Sequence, residues 1–175
     1  MRNTIRAWNW CKTRWSRLND WIMRGEPRKS VPLFASPVEA AEYLMAKAHY
    51  VPDPLGGALD WYVHPERLQA AMEDCRMAVA RIPGVDCEDW ATWAYVALLR
   101  IPGCKPRLLT LGDTSGRWGH HVICVYSLAG KYGAIDVSGH RALADLDEAR
   151  ICALWTSLNN DGTRYTEAVP TAYPF

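Results

Sequence analysis

The sequence predicts an α+β fold, with helices on the N-terminal side and an antiparallel sheet after Cys104. Three observations predict it. Apolar residues recur at helical spacing up to Arg100, then at strand-like spacing beyond the Pro102-Gly103 break. Pro37 and Pro65 each stand where proline opens a helix. The 175 residues suffice for one domain with a genuine core and are too few for two ordinary ones.

Taken in order, Ile5, Trp8, Cys11, Trp15, Leu18 and Ile22 recur at steps of three and four, which places them on one helical face, while Arg2, Arg6, Lys12, Arg14, Arg17 and Arg24 occupy the others. This basic amphipathic helix is expected to lay its Trp stripe on the body of the protein; a docking helix for a partner protein and a membrane-surface helix are the alternatives. The charged, proline-containing stretch from Arg24 to Pro32 reads as a linker, so residues 1–30 form an arm and residues 31–175 the domain. Ser36, Pro37 and Glu39 form a capping box that starts a helix running to about Ala48. The prolines and glycines between His49 and Leu59 make a loop, and Pro65 opens a helix towards Arg81. A nearly all-apolar, hence buried, helix runs from Cys87 to about Arg100. Arg107–Leu111, His121–Tyr126 and Tyr132–Val137 read as consecutive antiparallel strands. Arg150–Leu158 is a short helix or strand, and the tail from Asn159, with Pro170 and Pro174, reads as loop.

Twenty basic against nineteen acidic residues leave a net charge of +1, so no field of the whole molecule calls for nucleic acid. The six cysteines lack Cys-x-x-Cys pairs, and no spacing among Cys75, Cys87, Cys104, His120, His121 and His140 matches a zinc pattern; neither metal nor other cofactor is expected. No secretory signal or membrane-spanning apolar run is visible. The expected setting is a reducing one, cytoplasmic or within an assembly.

The chemistry concentrates on Cys87. At the start of a helix, unpaired backbone N–H groups and the positive dipole end favour a thiolate, although Asp86, Glu88 and Asp89 oppose it. A histidine opening the next buried strand and an acid ending the one after complete a working order: Cys87 as nucleophile, an imidazole as base, and Asp136 orienting the imidazole. His120 and His121 both offer themselves, and because neighbouring strand residues face opposite ways only one of them can look at Cys87.

The run Val85-Asp86-Cys87-Glu88-Asp89-Trp90-Ala91 resembles the nucleophile motif of the transglutaminase-like, papain-type cysteine peptidases of bacteria, with Val85 where glycine is usual. His121-Val122-Ile123, Gly130-Lys131-Tyr132 and Ala134-Ile135-Asp136 are similar to that family's His strand, Gly-x-Trp turn and apolar-Asp end, with Ile123 and Tyr132 replacing tryptophans. Tyr50-Val51-Pro52-Asp53 with Asp60-Trp61-Tyr62 looks like its entry segment, so the likeness spans about residues 36–139. It implies a papain-like, transglutaminase-like core and a thiol hydrolase, a peptidase or amidase, that needs no metal or nucleotide and acts on protein, peptide or peptidoglycan amides, with acyl transfer to amines as a variant. The family's strand-turn-strand length favours His121 as base, whereas a register using Gly119-His120 shortens the turn by one residue. Trp61, backed by Tyr62, is the candidate second oxyanion donor beside the Cys87 N–H, or else aromatic cleft wall. Asp89 is expected to serve as an acceptor for a neighbouring loop. The rival reading is the same module with an idle thiol site and a structural or docking role in a bacterial or phage assembly.

Overall fold

A computed structural model describes residues 2–22, 24–25, 28–50, 62–73, 85–112, 120–159 and 162–175. Among them the chain is a mixed α+β structure: helices α1 (Arg2–Ile22), α2 (Pro37–Lys47), α3 (Pro65–Glu73) and α4 (Cys87–Leu99), strands β1 (Lys105–Gly112), β2 (His120–Leu128), β3 (Lys131–Asp136) and β4 (Gly139–Leu143), helix α5 (Glu148–Leu158) and strand β5 (Glu167–Thr171). The five strands form one antiparallel sheet in the order β4-β3-β2-β1-β5.

Local chemistry sets the boundaries. The Ser36 side chain accepts the Glu39 N–H at 3.2 Å and Pro37 fills the first helical position, so α2 starts where the capping residues require; the Glu39 carboxylate reaches one residue further back, to the Ala35 N–H at 2.7 Å. The β2–β3 hairpin closes on Ala129 and Gly130, both at positive φ (49° and 76°), which is the primed turn whose twist matches antiparallel strands. The part of the third helix expected beyond Glu73 lies outside the described residues.

Two cores sandwich the sheet. On one face α4 packs across β1, β2 and β3, joined by α2 and α3, with Trp90, Trp93, Leu98, Val122 and Cys124 among the buried residues. Trp93 stacks on Tyr43 at 5.8 Å and donates its indole N–H to the buried Gln69, 3.0 Å away, so the one polar atom of this large ring is satisfied. On the other face Trp155 and Ile151 of α5 cover Leu109, Leu111, Ile123 and Val125.

Two expectations need correction. The tail is not all loop: β5 contains Pro170 and pairs with β1, a place open to proline because β5 is an edge strand. The opposite edge, β4, has a polar sequence that breaks the apolar alternation, as edge strands commonly do. More consequential is α1, whose described contacts with the body come from a face about a quarter turn round the helix from the expected stripe. Asn9, Lys12 and Ser16 are buried, whereas Trp10, Trp15 and Trp21 are 57%, 63% and 62% exposed. Asn9 donates to the hydroxyls of Thr110 and Thr171, the Ser16 hydroxyl accepts the Tyr62 N–H, and Asp20 holds Arg67. The described contacts that fasten this helix are polar, and Trp15 and Leu18 of the expected stripe are not among them.

One close approach has a measurable consequence. Gly133 lies opposite Tyr126, and a Cβ there would sit 2.5 Å from the phenol oxygen and 2.6 Å from Cζ. Because Tyr126 is also tied to His140 Nε2 at 2.7 Å, Gly133→Ala is expected to cost about 2 kcal/mol by overpacking. A urea titration giving less than about 0.5 kcal/mol would show that the ring moves aside freely.

Candidate active site

Cys87 is the first residue of α4, and Asp86 caps the helix by accepting the Glu88 N–H at 3.1 Å. The thiol sulfur lies 3.5 Å from the backbone nitrogen of Val122, which donates to it, and 3.3 Å from Glu88 Oε2, to which the thiol donates. Only 8% of Cys87 is exposed. Burial above all, and then the carboxylates of Glu88 and Asp86, push its pKa well above the ordinary thiol range, outweighing the Val122 N–H and the Lys12 ammonium. The resting group at neutral pH is therefore a thiol. Asp89 serves elsewhere: its Oδ1 accepts the Val63 N–H at 2.6 Å, the loop-acceptor role its sequence position suggested.

The sheet register explains why the sulfur can reach the β2 backbone. β2 pairs with β1 from His120 onward, but with β3 only from Cys124, so the first residues of β2 have one open side beyond the end of β3. His121 sits opposite Leu111 and, with Ile123 and Val125, faces α5. His120 alternates with it and shares the α4 side of the strand with Val122. Of the two histidines it is His121 that Asp136 holds, Nε2 to Oδ2 at 3.0 Å. A carboxylate on Nε2 requires the proton there, so the neutral ring in this arrangement is the tautomer with its lone pair on Nδ1.

Asp136 is the most heavily bonded acceptor of the site. Besides His121, it receives the Trp155 indole N–H on Oδ2 at 2.7 Å, and the Ser138 N–H and hydroxyl on Oδ1 at 2.8 and 2.5 Å. Burial would raise its pKa, but the bonds from His121, Ser138 and Trp155 prevail and hold it at about 2. Asp136 is thus ionised throughout the neutral range.

Tyr62, the cleft candidate, is buried under α1. Its ring centroid lies 5.7 Å from the Lys12 ammonium, which pairs with Glu88 Oε1. Trp61 lies outside the described residues. The structure therefore gathers Cys87, Val122 and Glu88 at the open edge of β2, joins His121 to Asp136 on the α5 side of that strand, and brings Tyr62 to the site through Lys12.

Three participants were not picked out from the sequence: Lys12, Ser138 and Trp155, whereas Glu88 acts as the opposing charge expected of it. Ser138 follows Asp136 by two positions, the spacing of an Asx-type turn, and could have been found that way. Trp155 and Lys12 carry no local signal. Ligand atoms of Asp86, Cys87 and Glu88 come within 4.8 Å of one another, the spread of a small cation site, yet the carboxylate charge there is already answered by Lys12 and the helix cap. Among the described residues no helix is long and apolar enough to cross a membrane. No protein-family model, curated protein or solved structure matches the chain.

Proposed function

We propose that this chain is a thiol-dependent hydrolase of amide bonds, with Cys87 as nucleophile, His121 as general base and then acid, and Asp136 as the group that orients His121. One observation carries the reading: Asp136 fixes His121 through Nε2 while the N–H of the very next residue, Val122, points at the Cys87 sulfur. The imidazole's remaining nitrogen, Nδ1, is the one left to take the thiol proton, and the ring has to turn from the α5 side past the end of β3 to do so, because His120 and not His121 shares the α4 side of β2 with Val122. Because the resting thiol is neutral, its proton passes to Nδ1 as the sulfur bonds to the substrate carbonyl carbon. The carbonyl electron pair moves onto oxygen, where the Cys87 N–H, at a helix start without an intrahelical acceptor, can stabilise it. On collapse the C–N bond breaks and His121 returns the proton to the departing amine. Water, activated by the same nitrogen, then cleaves the thioester and restores the thiol; an amine in its place would give acyl transfer.

A transglutaminase-like, papain-type core is supported by the cysteine opening a buried helix against a His strand with the acid at the end of the adjoining strand. Peptide or peptidoglycan amides are the substrate class that goes with it, and a reducing compartment would keep the thiol free. The idle-module reading is favoured by one observation: the thiol donates to Glu88 and is held in its neutral form.

p-Nitrophenyl acetate separates the two. An active site should release a burst of nitrophenolate and leave an acetyl group that peptide mass mapping places on Cys87. The burst should vanish in Cys87→Ala and slow by about 100-fold in His121→Ala. Acetylation spread evenly over the cysteines, or indifferent to His121, would rule the hydrolase out and leave the idle module.

A further inference from the structure

The outward face of α1 is unusual for a helix that is stitched to a domain. Trp10, Trp15 and Trp21 stand more than half exposed and Leu18 is 44% exposed. Helical geometry sets Trp10, Leu18 and Trp21 on the side away from the buried Asn9, Lys12 and Ser16, with Trp15 on the flank. The same outward side carries the exposed Arg6 and Arg14, and the exposed Arg24 follows just beyond the helix, while the Arg17 guanidinium is turned to the Pro174 carbonyl at 2.8 Å. Arg14 lies over the Trp10 ring at 4.1 Å and Arg24 over the Trp21 ring at 5.4 Å, so cations and indoles alternate along one surface. The helix contains a single acid, Asp20, and it is taken up by Arg28 and Arg67.

We propose that this face binds the surface of an anionic phospholipid bilayer, with α1 lying flat along it. The 21-residue helix is about 30 Å long. Indoles settle at the boundary between acyl chains and headgroups, and arginines beside them reach the phosphates. An anionic lipid surface meets both demands at once. A second copy of this chain would set the arginines of one α1 against those of the other, with no outward acid on the helix to meet them. The proposal stands independently of the thiol chemistry.

The test uses the full chain and sucrose-loaded vesicles, either pure phosphatidylcholine or phosphatidylcholine with about 30% phosphatidylglycerol. Sedimentation should show at least about tenfold stronger binding to the anionic vesicles, weakened by added salt. Trp10→Ser with Trp21→Ser, and separately Arg14→Glu, should each reduce that binding by about tenfold. These side chains are exposed, and a thermal melt monitored by circular dichroism verifies that the fold is retained. The proposal is overturned if the protein stays in the supernatant with anionic vesicles, binds both compositions equally, or binds as before in the variants. Self-association abolished by the Trp substitutions, without vesicle binding, would overturn it in favour of a second copy.

Discussion

Asp136→Ala is expected to be among the most damaging single substitutions in the chain, lowering stability by about 4 kcal/mol and the melting temperature by about 10 °C. The carboxylate accepts from four donors, and one of them, the Trp155 indole N–H, is buried in the core beneath the sheet. Truncation leaves that donor without its acceptor, which costs more than the bond itself was worth. Asp136→Asn keeps one acceptor oxygen and the volume, so it should recover more than half of the loss while still disturbing the His121 tautomer. Melts of the two variants that coincide with wild type would show the acceptor cluster to be unimportant. The same group makes stability depend on acid. Its pKa is about 2 in the folded chain, below the unstrained 3.8. Its contribution is therefore complete above about pH 4 and disappears as pH falls towards 2, amounting to about 2 kcal/mol. In Asp136→Asn that part of the acid sensitivity should be absent from urea titrations run across the window.

The second large effect concerns Lys12 and Glu88, an ion pair with both side chains buried. Removing either partner strands a charge in the interior, and Lys12→Met or Glu88→Gln should each cost about 3–5 kcal/mol. Lys12→Met with Glu88→Leu removes both charges and should regain most of that stability. The two single variants must act oppositely on the neighbouring thiol. Glu88 raises the Cys87 pKa and Lys12 lowers it. Glu88→Gln should therefore speed alkylation of Cys87 by iodoacetamide at pH 8 by about tenfold, and Lys12→Met should slow it. If both variants speed the reaction, loosened access rather than charge controls the thiol.

What could be read from the residues follows a physical divide. Ser36-Pro37 with Glu39, the Cys87 helix start and the strand ending at Asp136 were legible because capping, turn chemistry and periodicity act within a few residues. Periodicity also found the two faces of α1, but it does not say which face meets the protein. That was decided by partners far along the chain: Thr110, Thr171, Tyr62 and Glu88. β5 was hidden by Pro170, which is tolerated only because nothing in the sheet pairs beyond it. His121 was separated from His120 by a hydrogen bond that the residue types permit to either, while Trp155 entered the site through packing of α5 on the far side of the sheet.

The polar contacts of α1 also set the thermal character of the part of its attachment that they make. Exposure of apolar surface is what gives unfolding its large positive heat capacity. The described side chains that α1 turns inward are an amide, an ammonium on its hydrocarbon stem, a hydroxyl and a carboxylate, so these contacts add little to that heat capacity. The body of the protein grips less firmly on cooling as its hydrophobic contribution fades. The described polar contacts of the arm have little such dependence, and their strength follows a different function of temperature from that of the core.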